Sequence, residues 1–234
     1  MENRIIFSAG TTPACDYAAR MLRSLGLRIV DTPSEAVTHV LLDVPVRRMG
    51  PLDGFHPDVT LCGGRLDAPG HRVVDFLKDE EYLCSNAYIT AECALDVAMP
   101  YLNRTFRRLP VLILGWGRIG KCLSQLLRDL GADVTVAVRN PSQRAILLAL
   151  GYDSALISEL EDMLPRFRLI YNTVPHPVLS REALALCRED CVKIELASSD
   201  GLEGEDIIIA RGLPGIHMPE SSGELIARTF LRLC

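Results

Sequence analysis

Six consecutive residues have the spacing of a phosphate cradle: Gly115, Trp116, Gly117, Arg118, Ile119 and Gly120, a GxGxxG run. The first glycine of such a run permits a tight turn, and the second lets a pyrophosphate approach the backbone. The third allows a helix to pack closely on a strand, while the helix N-terminus supplies N–H groups and a positive dipole end. Alone the run is a weak signal, but here it follows the apolar "VLILG" and opens an amphipathic stretch with Ile119, Cys122, Leu123, Leu126, Leu127 and Leu130 on one face. That is the context a dinucleotide site requires. The next predicted strand, "VTVAV", runs into Arg139, Asn140, Ser142 and Arg144 with no carboxylate among them. An acid there binds a ribose 2′-hydroxyl and repels a 2′-phosphate, whereas a guanidinium pairs with that phosphate. The expectation is NADP(H), the alternative being that Arg139 stacks on adenine or lies in solvent.

Further loops fall where a nicotinamide and its reaction partner would lie. "NTVPHP" carries Asn172, Thr173, Val174 and Pro175 after the fourth strand of this half, and "ASSDG" carries Ala197 and Ser198 after the fifth. His217, in "GLPGIHMPE", is the candidate general base, since an imidazole titrates near neutrality. A loop histidine bonded to a carbonyl is the other reading. Arg47, with Arg48, either holds a substrate carboxylate or forms an exposed charged turn. Asn86 and Thr90 flank the expected start of a long helix, and Glu92 either orients a donor or favours that helix start through the dipole.

The elements that must position these residues follow from periodicity. "RIIFS" reads as a strand, residues 13–25 as a helix, and "LRIV" and "THVLLD" as further strands, giving a βαβ-type layer. A glycine- and proline-rich stretch, 49–70, reads as loops around one short strand. A connecting helix is expected over 90–102, capped by Thr90. Strands and helices alternate beyond it, as in an open parallel sheet covered on both faces. The expected organisation is a smaller N-terminal α/β domain, 1–105, and a Rossmann-type doubly wound domain, 106–220. A C-terminal helix, 221–234, opens on a Ser221–Glu224 capping box, buries Leu225, Ile226, Thr229, Phe230 and Leu233, and packs back toward the first domain.

Composition narrows the function classes. The 234 residues carry a net charge of −5, against nucleic-acid binding, which needs a basic face. No apolar run approaches the ~20 residues of a membrane span, so the chain is expected in the cytoplasm. None of the eight cysteines forms a CxxC pair, and "CREDC" (187–191) lacks a matching His/Cys pair, so no metal site is expected.

Over residues 73–234 the chain resembles the A-type subunit of dipicolinate synthase, a family related to the 2-hydroxyacid dehydrogenases. The resemblance rests on "VVDFLKDEEYLCSNAYITAECALDVAM", the glycine run with its flanking strands, "YNTVP", "ELAS" and "ARGLPGIHMPESSGELIA". It implies a pyridine-nucleotide-dependent protein that oxidises dihydrodipicolinate, or a related small dicarboxylate, working with the flavoprotein-like B-type subunit of the same synthase. It also implies a homodimer, since relatives with a long connecting helix often pair through it. The chain departs from the family before residue 73, where it is shorter and opens on "SAGTTPACDY". It also departs at "VPVRRMG", at Ser199-Asp200-Gly201 in place of a basic residue and glycines, and at the compressed "LEGEDIIIARGL". Lactate- or glycerate-type chemistry requires an Arg beyond the fifth strand and a Glu–His pair. Ser198 and Ser199 stand in that place, and Glu220 follows His217 instead of preceding it. Two functions therefore stand side by side: an NADP(H)-dependent oxidoreductase, or a non-catalytic NADP(H)-binding or regulatory protein that has lost its substrate site.

Overall fold

A computed structural model describes residues 4–47, 50 and 54–234. The chain divides into two compact units, 1–89 with 214–234, and 90–213. The first contains β1 (Ile5–Ser8), α1 (Pro13–Ser24), β2 (Arg28–Val30), β3 (His39–Leu41), β4 (Thr60–Gly63) and β5 (Arg72–Asp75). Helix α2 (Glu80–Ala98) starts in the first unit and ends in the second. The second unit continues with β6 (Pro110–Leu114), α3 (Arg118–Asp129), β7 (Asp133–Val138), α4 (Pro141–Ala149) and β8 (Asp153–Leu156). It closes with β9 (Leu169–Asn172), α5 (Arg181–Leu184), β10 (Val192–Glu195) and β11 (Ile208–Ile209). After α6 (Leu213–His217), helix α7 (Pro219–Leu233) returns to the first unit.

Both sheets are parallel throughout, with the order β2-β1-β3-β4-β5 in the first unit and β11-β10-β9-β6-β7-β8 in the second. Counted from β6, the second order is the doubly wound 3-2-1-4-5-6, whose direction of winding reverses between β6 and β9. This bears out the expected α/β class. Helices on both faces leave the central strands no solvent side, which is why Val111, Leu112, Ile113 and Leu114 form an unbroken apolar run at 0% exposure. Burying each of the larger side chains contributes about 1.5–3 kcal/mol.

The long helix begins ten residues before its expected start. Asp79 caps it, its Oδ1 accepting from the Tyr82 N–H at 2.8 Å, and Glu80 and Glu81 favour the positive end of the dipole. Thr90 therefore sits deep in the helix and is buried, and Pro100 lies in the turn (Met99–Tyr101) that follows the helix end. Arg232 ties the far end of α7 to this start, pairing with Asp79 and, at 3.2 Å, with Glu81.

Helix α7 likewise starts early, with Pro219 pre-set for the first turn, so Ser221 and Glu224 lie inside the helix instead of forming a capping box. Glu224 pairs instead with Arg228, one turn on, at 2.5 Å. The buried face is also rotated from the expected one. Gly223 lies against α1, where a Cβ would stand 2.5 Å from the Ala14 carbonyl oxygen and from Tyr17 Cβ. Ser222, Ile226, Ala227, Thr229 and Phe230 are buried as a result, while Leu225 is half-buried and Leu233 is 37% exposed.

Candidate functional site

The glycine run occupies the carboxyl end of β6, beside the reversal of the second sheet. Gly115 has φ +101, a conformation that excludes most side chains. It is also hemmed in, because a Cβ would stand 2.7 Å from Thr173 Oγ1 and 2.8 Å from Val174 Cγ2. Thr173 fastens the turn to the next strand, its N–H and hydroxyl both donating to the Leu114 carbonyl at 3.0 and 2.8 Å. A Cβ on Gly120 would run into the Gly115 carbonyl oxygen, so α3 approaches the strand as closely as only glycine allows. Gly117 differs: it is exposed, and a Cβ there would meet nothing within 4 Å. As N-cap of α3 it offers no side chain to the first-turn amides, and no acidic residue lies in that turn. Those donors face the open position, the arrangement that takes a phosphate. Trp116 is half-buried and packs edge-on against Tyr152, with centroids 5.2 Å apart. Arg118 is exposed and Ile119 half-buried.

At the end of β7 the four polar candidates separate. Asn140 is the N-cap of α4, its Oδ1 accepting from the Ser142 N–H at 2.8 Å. Arg144 is engaged by Glu159 at 3.1 Å. Arg139 and Ser142 are exposed.

The loops after β9 and β10 are held by a residue that sequence reading missed. Glu195, at 0% exposure, ends β10 beside Asn172, also at 0%. Its carboxylate accepts from Asn172 Nδ2 at 2.8 and 3.0 Å and from the N–H groups of Ala197 (3.0 Å), Gly201 (2.8 Å) and Leu202 (3.2 Å). Asn172 also donates to the Val174 carbonyl and accepts from the Val174 N–H, each at 3.0 Å. The Asn172 side chain is thus turned into the fold, shaping the Thr173–Pro175 turn. Gly201 is forced by crowding, since a Cβ would lie 2.8 Å from the His176 carbonyl oxygen. Ser199 donates to the Pro175 carbonyl at 2.7 Å and joins the two loops. Arg211 braces the second, with Nε on the Ala197 carbonyl at 2.8 Å and Nη2 on Asp200 at 2.5 Å. Ser198 is left exposed and Ala197 buried. The one sequence signal was a lone carboxylate in the otherwise apolar "IELA".

The glycine run, Arg139 with its neighbours, Asn172–Pro175 and Ala197–Ser198 therefore share the carboxyl edge of one sheet. Thr90 and the half-buried Glu92 belong to the same unit, within α2. Arg47, Asn86 and His217 belong to the first unit. Arg47 is exposed beyond β3, Asn86 is half-buried inside α2, and His217 is exposed at the end of α6. Arg48 lies outside the described residues. The first unit has its own well-built turn, which sequence reading also missed. Asp43 accepts from the N–H and hydroxyl of Thr11 (2.9 and 3.1 Å) and of Thr12 (3.1 and 2.6 Å). A Cβ on Gly10 would stand 2.8 Å from Asp43 Oδ1. Among the described residues no helix is long and apolar enough to cross a membrane, and no His, Cys, Asp or Glu cluster is arranged to hold a metal ion.

No family model matches the chain. It is 25% identical over 170 residues to the A-type subunit of dipicolinate synthase from Bacillus subtilis (strain 168), a match covering 69% of this chain and 57% of that protein. The matched stretch thus spans little more than half the length of that curated relative. The crystal structure of the dipicolinate synthase A chain from Bacillus subtilis superposes with a TM-score of 0.83 at 19% identity, covering 100% of this chain and 96% of that one. A transhydrogenase from Sinorhizobium meliloti shares the fold at a TM-score of 0.76 and 16% identity, covering 97% and 93%. In sequence over its matched stretch, and in fold over its whole length, the chain is similar to the A-type subunit of dipicolinate synthase, the family its motifs resemble.

Proposed function

We propose that the chain is an NADP(H)-dependent oxidoreductase of the dipicolinate synthase A type, oxidising dihydrodipicolinate or a related small dicarboxylate. The observation that carries this reading is the cradle at the β6–β9 reversal. Two glycines there are forced by their neighbours, a third opens onto uncapped amides, and the flanking loops are locked by Glu195. That set of residues fits a dinucleotide. The glycine run would hold the pyrophosphate, Arg139 would pair with the 2′-phosphate, and Thr173–Pro175 and Ala197–Ser198 would line the nicotinamide end. A nicotinamide held there would supply a hydride acceptor for the substrate. His217 takes the accompanying proton, Arg47 neutralises a substrate carboxylate, and Asn86, Thr90 and Glu92 orient the ring. The flavoprotein-like B-type subunit of the synthase is the proposed partner, and a second copy of the chain its dimer mate.

A non-catalytic NADP(H)-binding protein is the second reading. It is favoured by Asp200, an acid clamped by Arg211 where the family carries a basic residue. Freshly made dihydrodipicolinate and NADP⁺ separate the two, with and without the flavoprotein-like partner, by following absorbance at the NADPH band. Oxidation is expected to generate NADPH. Tight NADPH binding without turnover in either mixture would overturn the oxidoreductase reading and leave the second. Arg139→Glu tests the cofactor choice: NADPH binding should weaken roughly 10- to 100-fold, as for loss of a charge-assisted pair, with NADH binding unimpaired. Equal weakening of both would remove Arg139 from phosphate recognition.

A further inference from the structure

Two of the eight cysteines meet in the first unit, far apart in sequence. Cys62 lies in β4 at 0% exposure, and Cys234 follows α7, half-buried. Their sulfurs are 3.3 Å apart. Cys234 is also a wall of a cavity of about 460 Å³, shared with His39, Asp58, Thr60 and Arg72. The half-buried member of the pair thus borders the cavity, and the fully buried Cys62 lies in contact with it.

The surroundings make the two sulfurs unequal. The contact between the two thiols, in which either sulfur could donate, pulls the Cys234 thiol below its ordinary range against the opposing effect of burial. The charges of Arg4 and Arg72 act in the same direction as the contact. That contact and burial push the Cys62 thiol up. Among the described residues Nη1 of Arg4, whose charge acts on Cys234, is buried without a hydrogen-bond partner. His39, also on the cavity, is held toward its neutral form by burial and by the same two arginines.

We propose that Cys234 and Cys62 are an oxidisable pair, in which Cys234 reacts with a low-molecular-weight disulfide entering the cavity and Cys62 resolves the adduct into an intramolecular disulfide. In the first step the Cys234 thiolate attacks one sulfur of the reagent, forming a mixed disulfide and expelling the other half as a thiolate. In the second, Cys62 loses its proton to solvent and attacks Cys234 Sγ, expelling the remaining half. Two protein thiols are oxidised and one reagent disulfide is reduced to two thiols. The product fastens the end of α7 to β4, adding a covalent link to the packing of Gly223 on α1. Under reducing conditions the pair stays open.

The test uses the whole chain, reduced, then exposed to glutathione disulfide, quenched in acid, alkylated and mapped by mass spectrometry. A linked Cys62–Cys234 peptide is expected, with a thermal midpoint raised by roughly 5 °C or more and restored by reductant. Cys62→Ser should stop at a glutathione adduct on Cys234, and Cys234→Ser should leave Cys62 unmodified. The exposed Cys84 supplies the reference for an ordinary thiol. Wild-type chain in which Cys84 carries glutathione while Cys62 and Cys234 remain alkylatable would overturn the proposal, whether or not the variants fold.

Discussion

Glu195→Ala is expected to lower the free energy of unfolding by about 3–5 kcal/mol, read from denaturant transitions. The change removes the shared acceptor of Asn172 Nδ2 and of three backbone N–H groups, at Ala197, Gly201 and Leu202. Each buried donor left without a partner costs roughly 1–3 kcal/mol. The full sum is not reached, because the variant also escapes the desolvation of a buried carboxylate and the loop relaxes toward solvent. Glu195→Gln should fall between, at about 1–3 kcal/mol, since the amide keeps one acceptor oxygen but turns a donor toward groups that are themselves donors. The loss has a functional side. Once 197–201 is released, Ser199 no longer holds the Pro175 carbonyl in place, and NADPH affinity should fall with stability. An alanine variant within about 0.5 kcal/mol of the parent, the usual range of surface substitutions, would show that Glu195 does not hold these loops.

This residue also marks where sequence reading ran out. The alternation of strands and helices after residue 105 was legible because each element carries its own period, and the glycine run because its spacing is local. Glu195 depends on register. Its partner Asn172 sits 23 positions away and becomes a neighbour only when β9 and β10 align. Asp43 is the same case, receiving donors from Thr11 and Thr12 across a gap of 31 or 32 positions. The helix starts were missed for a different reason. Thr90 and Ser221 are good caps by type, but Asp79 and Pro219 already start those helices upstream, and a helix once begun runs through a residue that prefers its end. Strands β5 (RVVD) and β8 (DSAL) mix polar residues with only two apolar ones, and β11 has two residues in all, so none stands out as an apolar run. The oxidisable pair was invisible too. Cys62 and Cys234 carry no motif, and only the return of α7 to the first unit brings them together.

The two glycines at the mouth of α3 should respond oppositely to the same added methyl group. Gly117→Ala places a Cβ in open space at an exposed position with φ −82, so the fold should tolerate it, with stability within about 0.5 kcal/mol of the parent. The same methyl group occupies the approach to the uncapped amides, so NADPH should bind roughly 100-fold more weakly, about 2.7 kcal/mol. Gly120→Ala drives its Cβ into the Gly115 carbonyl oxygen, a backbone atom that cannot swing aside. Helix α3 must then move off β6, and stability should fall by about 1–3 kcal/mol, as for overpacking in a core, together with nucleotide binding. Calorimetric titration with NADPH and thermal unfolding, run on both variants, separate the two effects. Since Gly117 is the one glycine of the run whose replacement leaves the protein intact, its variant reads the ligand site without reading the fold. Undiminished NADPH affinity in Gly117→Ala would place the pyrophosphate somewhere other than the N-terminus of α3.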